Sequence, residues 1–175
     1  GVDFLLKYEN KRIFFFFFYS RSEVDIDDGT QVYNPHFDRR HNLNFLGSYT
    51  FGGNDDWEAS VRWNYGSGFP FTQTQGFYEN LNFLDNGVDV DVTEENGNLG
   101  VIFDDQLNGG RLPDYHRMDL SLKKKFTIGV NSILELSGSV TNIYNRDNIF
   151  YFDRVRYERI NQLPILPSFG ASFTF

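Results

Sequence analysis

Apolar and polar residues alternate along several segments of this chain. Between Trp57 and Tyr65 every second residue is aromatic or aliphatic, and polar residues such as Glu58 stand between them. Side chains of a β-strand point alternately to opposite faces, so each segment of this kind has one apolar face and one polar face. The pattern predicts seven strands, near 2–9, 12–22, 38–52, 56–66, 114–127, 132–144 and 167–175.

The connections between the predicted strands alternate in length. Short turns are expected at 9–11, 52–55 and 128–131, and long loops at 23–37, 67–113 and 145–166. Short turns at one end of a sheet and long loops at the other are typical of outer-membrane β-barrels. We therefore expect an all-β fold whose strands form an antiparallel transmembrane β-barrel segment.

Composition and charge exclude several classes of protein. The chain has 175 residues, 20 of them Phe, 10 Tyr and 2 Trp, which argues against disorder although the mean hydropathy is −0.45. Its longest apolar run, Ile13–Tyr19, is far shorter than the about 20 residues of a membrane-spanning helix. The net charge of −8 leaves no basic surface for nucleic acid, and the absence of Cys excludes disulfides and thiol chemistry.

The run Ile13–Tyr19 departs from the alternation because every position in it is apolar. From the parity of the flanking residues, Phe15 would face lipid, whereas Phe14, Phe16 and Phe18 would face the lumen. Aromatic side chains are unexpected in a water-filled lumen, and an internal plug that packs against this wall would explain them. The alternative is a strand buried on both faces of a soluble core.

Polar residues on the predicted inner face form a second set of candidates. They are Arg62, Asn64, Arg117, Asp119 and Glu135. In a plugged barrel such residues would form charge-assisted hydrogen bonds with the plug or would line the permeation path. The alternative is that they are hydrated lumen residues without a partner.

Five ordered segments carry a resemblance to a known family. They are Asp-Arg-Arg-His-Asn-Leu-Asn at 38–44, Tyr-Gly-Ser-Gly-Phe-Pro-Phe-Thr at 65–72, Arg-Leu-Pro-Asp-Tyr-His-Arg-Met-Asp-Leu-Ser-Leu at 111–122, Val-Thr-Asn-Ile-Tyr-Asn-Arg-Asp-Asn at 140–148 and Leu-Pro-Ser-Phe-Gly at 166–170. In this order they resemble the C-terminal third of TonB-dependent outer-membrane receptors, especially the type with an extra N-terminal carboxypeptidase-regulatory-like domain.

The resemblance implies a fold, a location and a set of partners. The fold is a 22-stranded barrel with an N-terminal plug, of which this chain would supply the last seven strands; the plug and the TonB-contacting box are not among the 175 residues. The first residues already fit a strand, so we expect a longer protein in a Gram-negative outer membrane. The partners would be the rest of its barrel and plug, the TonB complex, membrane lipid, the barrel-assembly machinery and a surface lipoprotein. Phe169, Phe173 and Phe175 resemble the signal that the assembly machinery reads, and they also fit the lipid face of the last strand.

The long outer loop 67–113 holds the candidates for substrate contact. These are the aromatic residues Phe71, Phe77 and Tyr78 and the carboxylates Asp85, Asp89 and Asp91. The carboxylates could also bind Ca²⁺, but Val90 stands where an EF-hand loop requires Gly. We expect a solvated acidic loop that helps to close over a substrate, with no cofactor and no metal site.

Catalysis finds little support in the sequence. His36, His41 and His116 lack metal-ligand spacing, and His41 and His116 are expected in a polar and aromatic girdle at the outer membrane interface. The leading hypothesis is a receptor that imports a scarce substrate and performs no bond chemistry. The first alternative is a small complete eight-stranded outer-membrane barrel with a structural or adhesive role, whose eighth strand lies in 149–160; a soluble β-sandwich lectin is the second.

Overall fold

The computed structural model describes residues 1–79, 99–128 and 132–175, which contain β-strands and no helix. The strands are β1 (Val2–Glu9), β2 (Ile13–Arg21), β3 (Ile26–Asp27), β4 (Val32–Tyr33), β5 (His41–Phe51), β6 (Trp57–Gly66), β7 (Pro70–Phe71), β8 (Thr74–Glu79), β9 (Leu99–Phe103), β10 (Gly110–Arg111), β11 (Tyr115–Thr127), β12 (Ile133–Thr141), β13 (Ile149–Asp153), β14 (Glu158–Asn161) and β15 (Leu166–Thr174). Among the described residues no helix is long and apolar enough to cross a membrane. The predicted all-β fold with antiparallel pairing is confirmed.

Seven strands form the main sheet in the order β1-β2-β5-β6-β11-β12-β15, and every neighbouring pair is antiparallel. Each overlaps one predicted segment and differs from it by a few residues at the ends. Within the described ranges, β1 pairs only with β2, and β15 pairs only with β12. The seven strands are therefore an open sheet with two edges and do not close into a barrel.

The register separates the side chains of this sheet into two faces, because residues directly opposite each other share a face. One row across the apolar face consists of Tyr8, Phe15, Gly47, Val61, Leu120, Val140 and Pro167. The adjacent row on the polar face consists of Phe14, Ser48, Ser60, Ser121, Ser139 and Ser168. Within the described part of the chain no aliphatic or aromatic side chain other than those of Pro35 and Pro70 is buried, so no second layer covers the apolar face as a β-sandwich would require.

The segment expected to supply an eighth strand forms a separate hairpin. β13 pairs with β14, and neither pairs with a strand of the main sheet. Asn142, which is completely buried, fixes the base of this hairpin: its side-chain Nδ2 donates to the carbonyl oxygens of Arg146 at 2.9 Å and Leu163 at 3.1 Å. The described sheet therefore lacks the eighth strand that the small-barrel alternative places in 149–160.

A second compact unit consists of Val24–Phe37 and Pro70–Arg111. It contains three two-stranded ladders, β3 with β4, β7 with β10 and β8 with β9. Asn108 links its two segments, because its Nδ2 donates to the carbonyl oxygen of Asn34 at 2.8 Å, and its backbone N–H donates to Thr72 Oγ1 at 3.0 Å. Two long loops that are separate in the sequence therefore belong to one unit.

Candidate functional site

On β5 and β6 the apolar face of the main sheet is aromatic towards both ends of the strands and small or aliphatic in between. Towards the long connections it presents Tyr19, Phe45, Trp63 and Tyr65, and towards the short turns it presents Tyr49, Phe51 and Trp57. Small and aliphatic residues such as Gly47, Ala59, Val61, Leu122 and Gly138 fill the middle, where a shallow apolar depression has a volume of about 730 Å³. On β5 and β6 two aromatic bands therefore border small and aliphatic residues, as on the lipid side of outer-membrane barrels. Phe15 of β2 and Phe169 of β15 add aromatic rings to the middle of the face.

Three tyrosine hydroxyls near the long connections have hydrogen-bond partners. The Tyr19 hydroxyl lies 2.9 Å from His41 Nδ1, and the Tyr144 hydroxyl lies 2.8 Å from His116 Nδ1. Tyr65 donates from its hydroxyl to Asp114 at 2.7 Å. Both histidines thus lie in the aromatic and polar band in which the sequence placed them; its location at a membrane interface stays a prediction.

One charged side chain, that of Lys124, lies on the apolar face near the short turns. Lys124 forms an ion pair with Asp56, and its Nζ lies 4.4 Å from the centroid of the Trp57 ring. The hydrogen bond from Lys124 lowers the pKa of the Asp56 carboxyl, which favours the ionised carboxylate. An ammonium group held between a carboxylate and an aromatic ring suits a water–lipid boundary, where long cationic side chains extend towards water.

The predicted lumen residues lie together on the polar face, mostly around one ion pair. Arg117 donates from one terminal nitrogen to Asp119 Oδ2 at 3.0 Å, and its Nε lies 3.0 Å from Oδ1 as a second contact of the ion pair. Asp119 also accepts from the backbone N–H of Asn142 at 3.0 Å, and Asn64 donates to Asn44. Arg62 lies directly opposite Asp119 in the ladder and is exposed on this face.

The rest of the polar face carries small hydroxyl groups and further charges. Within the serine row, Ser60 and Ser121 lie 2.6 Å apart between hydroxyl oxygens, and Ser139 and Ser168 lie 2.7 Å apart. Glu135 lies directly opposite Lys125 in the ladder between β11 and β12. This region of the wall is hydrophilic along its length.

The polar face becomes apolar on β2, with one leucine beside it on each neighbouring strand. Phe14, Phe16 and Phe18 are half-buried and share this face with Leu5 and Leu46. The sequence predicted that these three phenylalanines share the face of the polar residues. The pairing of β2 with β5 agrees, because each of them lies opposite a β5 residue on that face. Contact with a plug stays a prediction.

The substrate-loop candidates lie partly within the described residues. Phe71 belongs to β7 and Phe77 to β8, and both are half-buried, whereas Tyr78 of β8 is 54% exposed. Asp85, Asp89 and Asp91 lie outside the described residues. In residues 1–79, 99–128 and 132–175, no group of three or more His, Asp or Glu side chains is arranged to hold a metal ion.

The C-terminal phenylalanines lie at an edge of the sheet. Phe169 and Phe173 belong to the apolar face of β15, where they lie opposite Gly138 and Leu134. Phe169 is 90% exposed and Phe175 is 93% exposed. Two phenylalanine rings at this edge are thus almost uncovered; their recognition by the assembly machinery stays a prediction.

A further site, around Arg39, was not identified from the sequence. The guanidinium carbon of Arg39 lies 4.2 Å from the centroid of the Phe69 ring and 5.9 Å from that of Tyr115. The group also lies on Gly66, where a Cβ atom would come within 2.5 Å of Arg39 Cζ. The sequence contains an Arg pair at 39–40 and, well separated from it, a glycine-rich strand end at 66–68, but only the pairing of β5, β6 and β11 brings these residues together.

No family model, no curated protein and no solved structure matches this chain. The functional argument therefore rests on the two faces of the sheet and on the residues that they present.

Proposed function

We propose that this chain is the C-terminal barrel segment of a TonB-dependent outer-membrane receptor that imports a scarce substrate through a plugged barrel. The observation that carries the proposal is the seven-stranded antiparallel sheet with one uncovered apolar face, aromatic at both ends, and one polar face. Continuous exposed apolar surface of this extent is unfavourable in water and suits a lipid environment.

The connections and the edges of the sheet support the same assignment. Short connections join β1 to β2, β5 to β6 and β11 to β12, whereas the other three connections are long. Unpaired strand edges in a bilayer leave backbone groups without hydrogen bonds, which is costly. The proposal therefore requires further strands of the same protein to pair with β1 and β15.

The polar face is the proposed wall of the lumen. Its Arg117–Asp119 ion pair and its serine row suit a hydrated path, and its apolar region at Phe14, Phe16 and Phe18 suits contact with a folded plug. The proposed cycle is substrate binding at the long loops, followed by release of the plug by TonB. The barrel-assembly machinery and a surface lipoprotein are further proposed partners.

Fluorescence quenching tests the lipid-facing assignment. Trp57 and Trp63, the two tryptophans of this chain, both lie on the apolar face. In the full-length protein reconstituted in lipid brominated on its acyl chains, we expect most of their emission to be lost, measured as the difference from a Trp57→Phe, Trp63→Phe variant. The matched control adds Ser60→Trp to that variant, because Ser60 lies on the same strand and faces the other way. Equal quenching of the tryptophan introduced by Ser60→Trp and of Trp57 and Trp63, or no quenching of Trp57 and Trp63, would contradict the proposal.

Conductance tests the plugged-barrel mechanism. We expect the full-length protein in a planar bilayer to carry no steady ion current, since the plug fills the lumen. Removal of the plug domain should leave a barrel with a large steady conductance. A plug-free protein that inserts and stays closed would show that the polar face does not line a channel.

A further inference from the structure

We propose that Arg39, with Phe69, Tyr115 and Gly66, forms a binding site for an oxyanion, the carboxylate or phosphate group of a small-molecule ligand. This inference deepens the proposed function. It rests on that function in one respect only: the end of the polar face next to the long connections is taken as the extracellular opening of the barrel. The site itself follows from contacts among residues of one compact unit.

The position of Arg39 is fixed by its backbone and by its surroundings. Ser22 donates from its hydroxyl to the Arg39 carbonyl oxygen at 3.2 Å, and the Ser22 N–H donates to the next carbonyl at 3.1 Å. Gly66 lies opposite Tyr115 in the ladder, on the polar face. Because any Cβ at Gly66 would meet the guanidinium group, the glycine allows Arg39 to lie flat at this strand end.

The Arg39 guanidinium is partly desolvated and has no counter-charge among the residues that the structure describes. Burial lowers its pKa, and its Nε is inaccessible to solvent and makes no hydrogen bond. No carboxylate in residues 1–79, 99–128 or 132–175 pairs with it, although the whole chain has 24 Asp and Glu against 16 Lys and Arg. The neighbouring Arg40, by contrast, pairs with Glu23 at 3.1 Å. A cation removed from water without a partner is costly, and an anionic ligand would offset that cost.

The geometry selects the class of ligand. Phe69 stacks on the guanidinium and Gly66 closes on it as well, so the N–H groups along its edge are the part left for a ligand. A planar guanidinium presents those donors as a fork that matches the two oxygens of a carboxylate or a phosphate. The flanking rings of Phe69 and Tyr115 would keep the fork in place and lower the local polarity, which strengthens a charge-assisted bond.

Protection from chemical modification tests the site. The full-length protein in detergent is treated with phenylglyoxal, which reacts with guanidinium groups, and the modification rate of each arginine is followed by mass spectrometry. Inorganic phosphate or acetate replaces chloride at constant ionic strength, which keeps general screening unchanged. We expect phosphate or acetate to slow the reaction of Arg39 by about fivefold in a saturable manner, as a charge-assisted bidentate contact would. Arg21, which is exposed at the end of β2, is the control and should react at an unchanged rate.

Two variants separate binding from folding. Gly66→Ala would displace the guanidinium and should abolish the protection, whereas Gly138→Ala, whose added methyl would lie 3.6 Å from Phe169, should retain it. Equal protection of Arg39 and Arg21 would overturn the site. Protection by anionic lipid vesicles but not by phosphate or acetate would assign the site to a lipid and would overturn the proposal. An Arg39 that is unreactive in the full-length protein before any anion is added would also overturn it, because a carboxylate of the protein would then occupy the site. The lipid-quenching result does not depend on Arg39, so the two proposals can fail separately.

Discussion

Replacement of Leu120 by Arg is expected to reduce the free energy of unfolding in lipid by about 2–4 kcal/mol, the cost of an arginine at the bilayer midplane of an outer-membrane barrel. Leu120 lies in the central row of the apolar face, between Val61 and Val140. The measurement is chemical denaturation of the full-length protein in lipid vesicles, where the midpoint and slope give the free energy.

Two matched variants on the same strand make this expectation specific. Ser121→Arg changes the next residue, which belongs to the polar face, and should cost much less because that side chain would enter the lumen. Phe126→Arg changes the same face near the short-turn end and should cost about 0–1 kcal/mol, since the penalty falls towards the interface. The native Lys124 already stands on this face near that end. No change in the free energy of unfolding for Leu120→Arg, or an equal loss for the arginine variants at 120, 121 and 126, would contradict a lipid-facing sheet.

Replacement of Asn142 by Ala is expected to cost about 2–4 kcal/mol, because buried polar groups left without partners cost about 1–3 kcal/mol each. Besides its two bonds from Nδ2, Asn142 accepts from the Arg146 N–H at 3.0 Å through its Oδ1. Its backbone has a φ of 53°, a left-handed conformation that Asn tolerates better than Ala. The free energy of unfolding and the rate of proteolysis within 149–161 both report the loss.

The comparison with Asn142→Gly separates the two causes. Glycine adopts a positive φ without strain and removes the same hydrogen bonds, so it should be less harmful than alanine by about 1 kcal/mol. Asn108→Ala provides a second comparison, since Asn108 also has a positive φ, of 54°, but belongs to the other compact unit. It should leave the proteolysis rate of the 149–161 hairpin unchanged. A wild-type rate of hairpin cleavage in Asn142→Ala would show that Asn142 does not anchor it.

The sequence predicted the seven main strands because their alternation is strong and each spans many residues. Trp57–Gly66 shows this well, since no position in it departs from the pattern until the terminal glycine. The segment 149–160 was ambiguous, because a hairpin outside the sheet and an eighth strand have the same short strand-like pattern. Only the hydrogen bonds of its base, above all those of Asn142, decide between them.

The site around Arg39 could not be predicted, because its parts come from three separate regions of the sequence. A guanidinium over an aromatic ring leaves no periodic signal, and Gly66 is simply the last residue of a strand when the sequence is read alone. The buried Asn142 was hidden for a similar reason: its partners Arg146 and Leu163 lie on either side of the hairpin.

The order of the strands in the main sheet has a consequence for how the chain can fold. Each strand pairs with main-sheet strands that immediately precede or follow it along the chain, so three tight hairpins (β1–β2, β5–β6 and β11–β12) can form from local contacts alone. The long connections then join hairpins that already exist, and doubling the length of such a connection adds only about 0.6 kcal/mol of closure entropy. Selection can therefore lengthen or replace the long connections while the pairing of the main sheet stays the same.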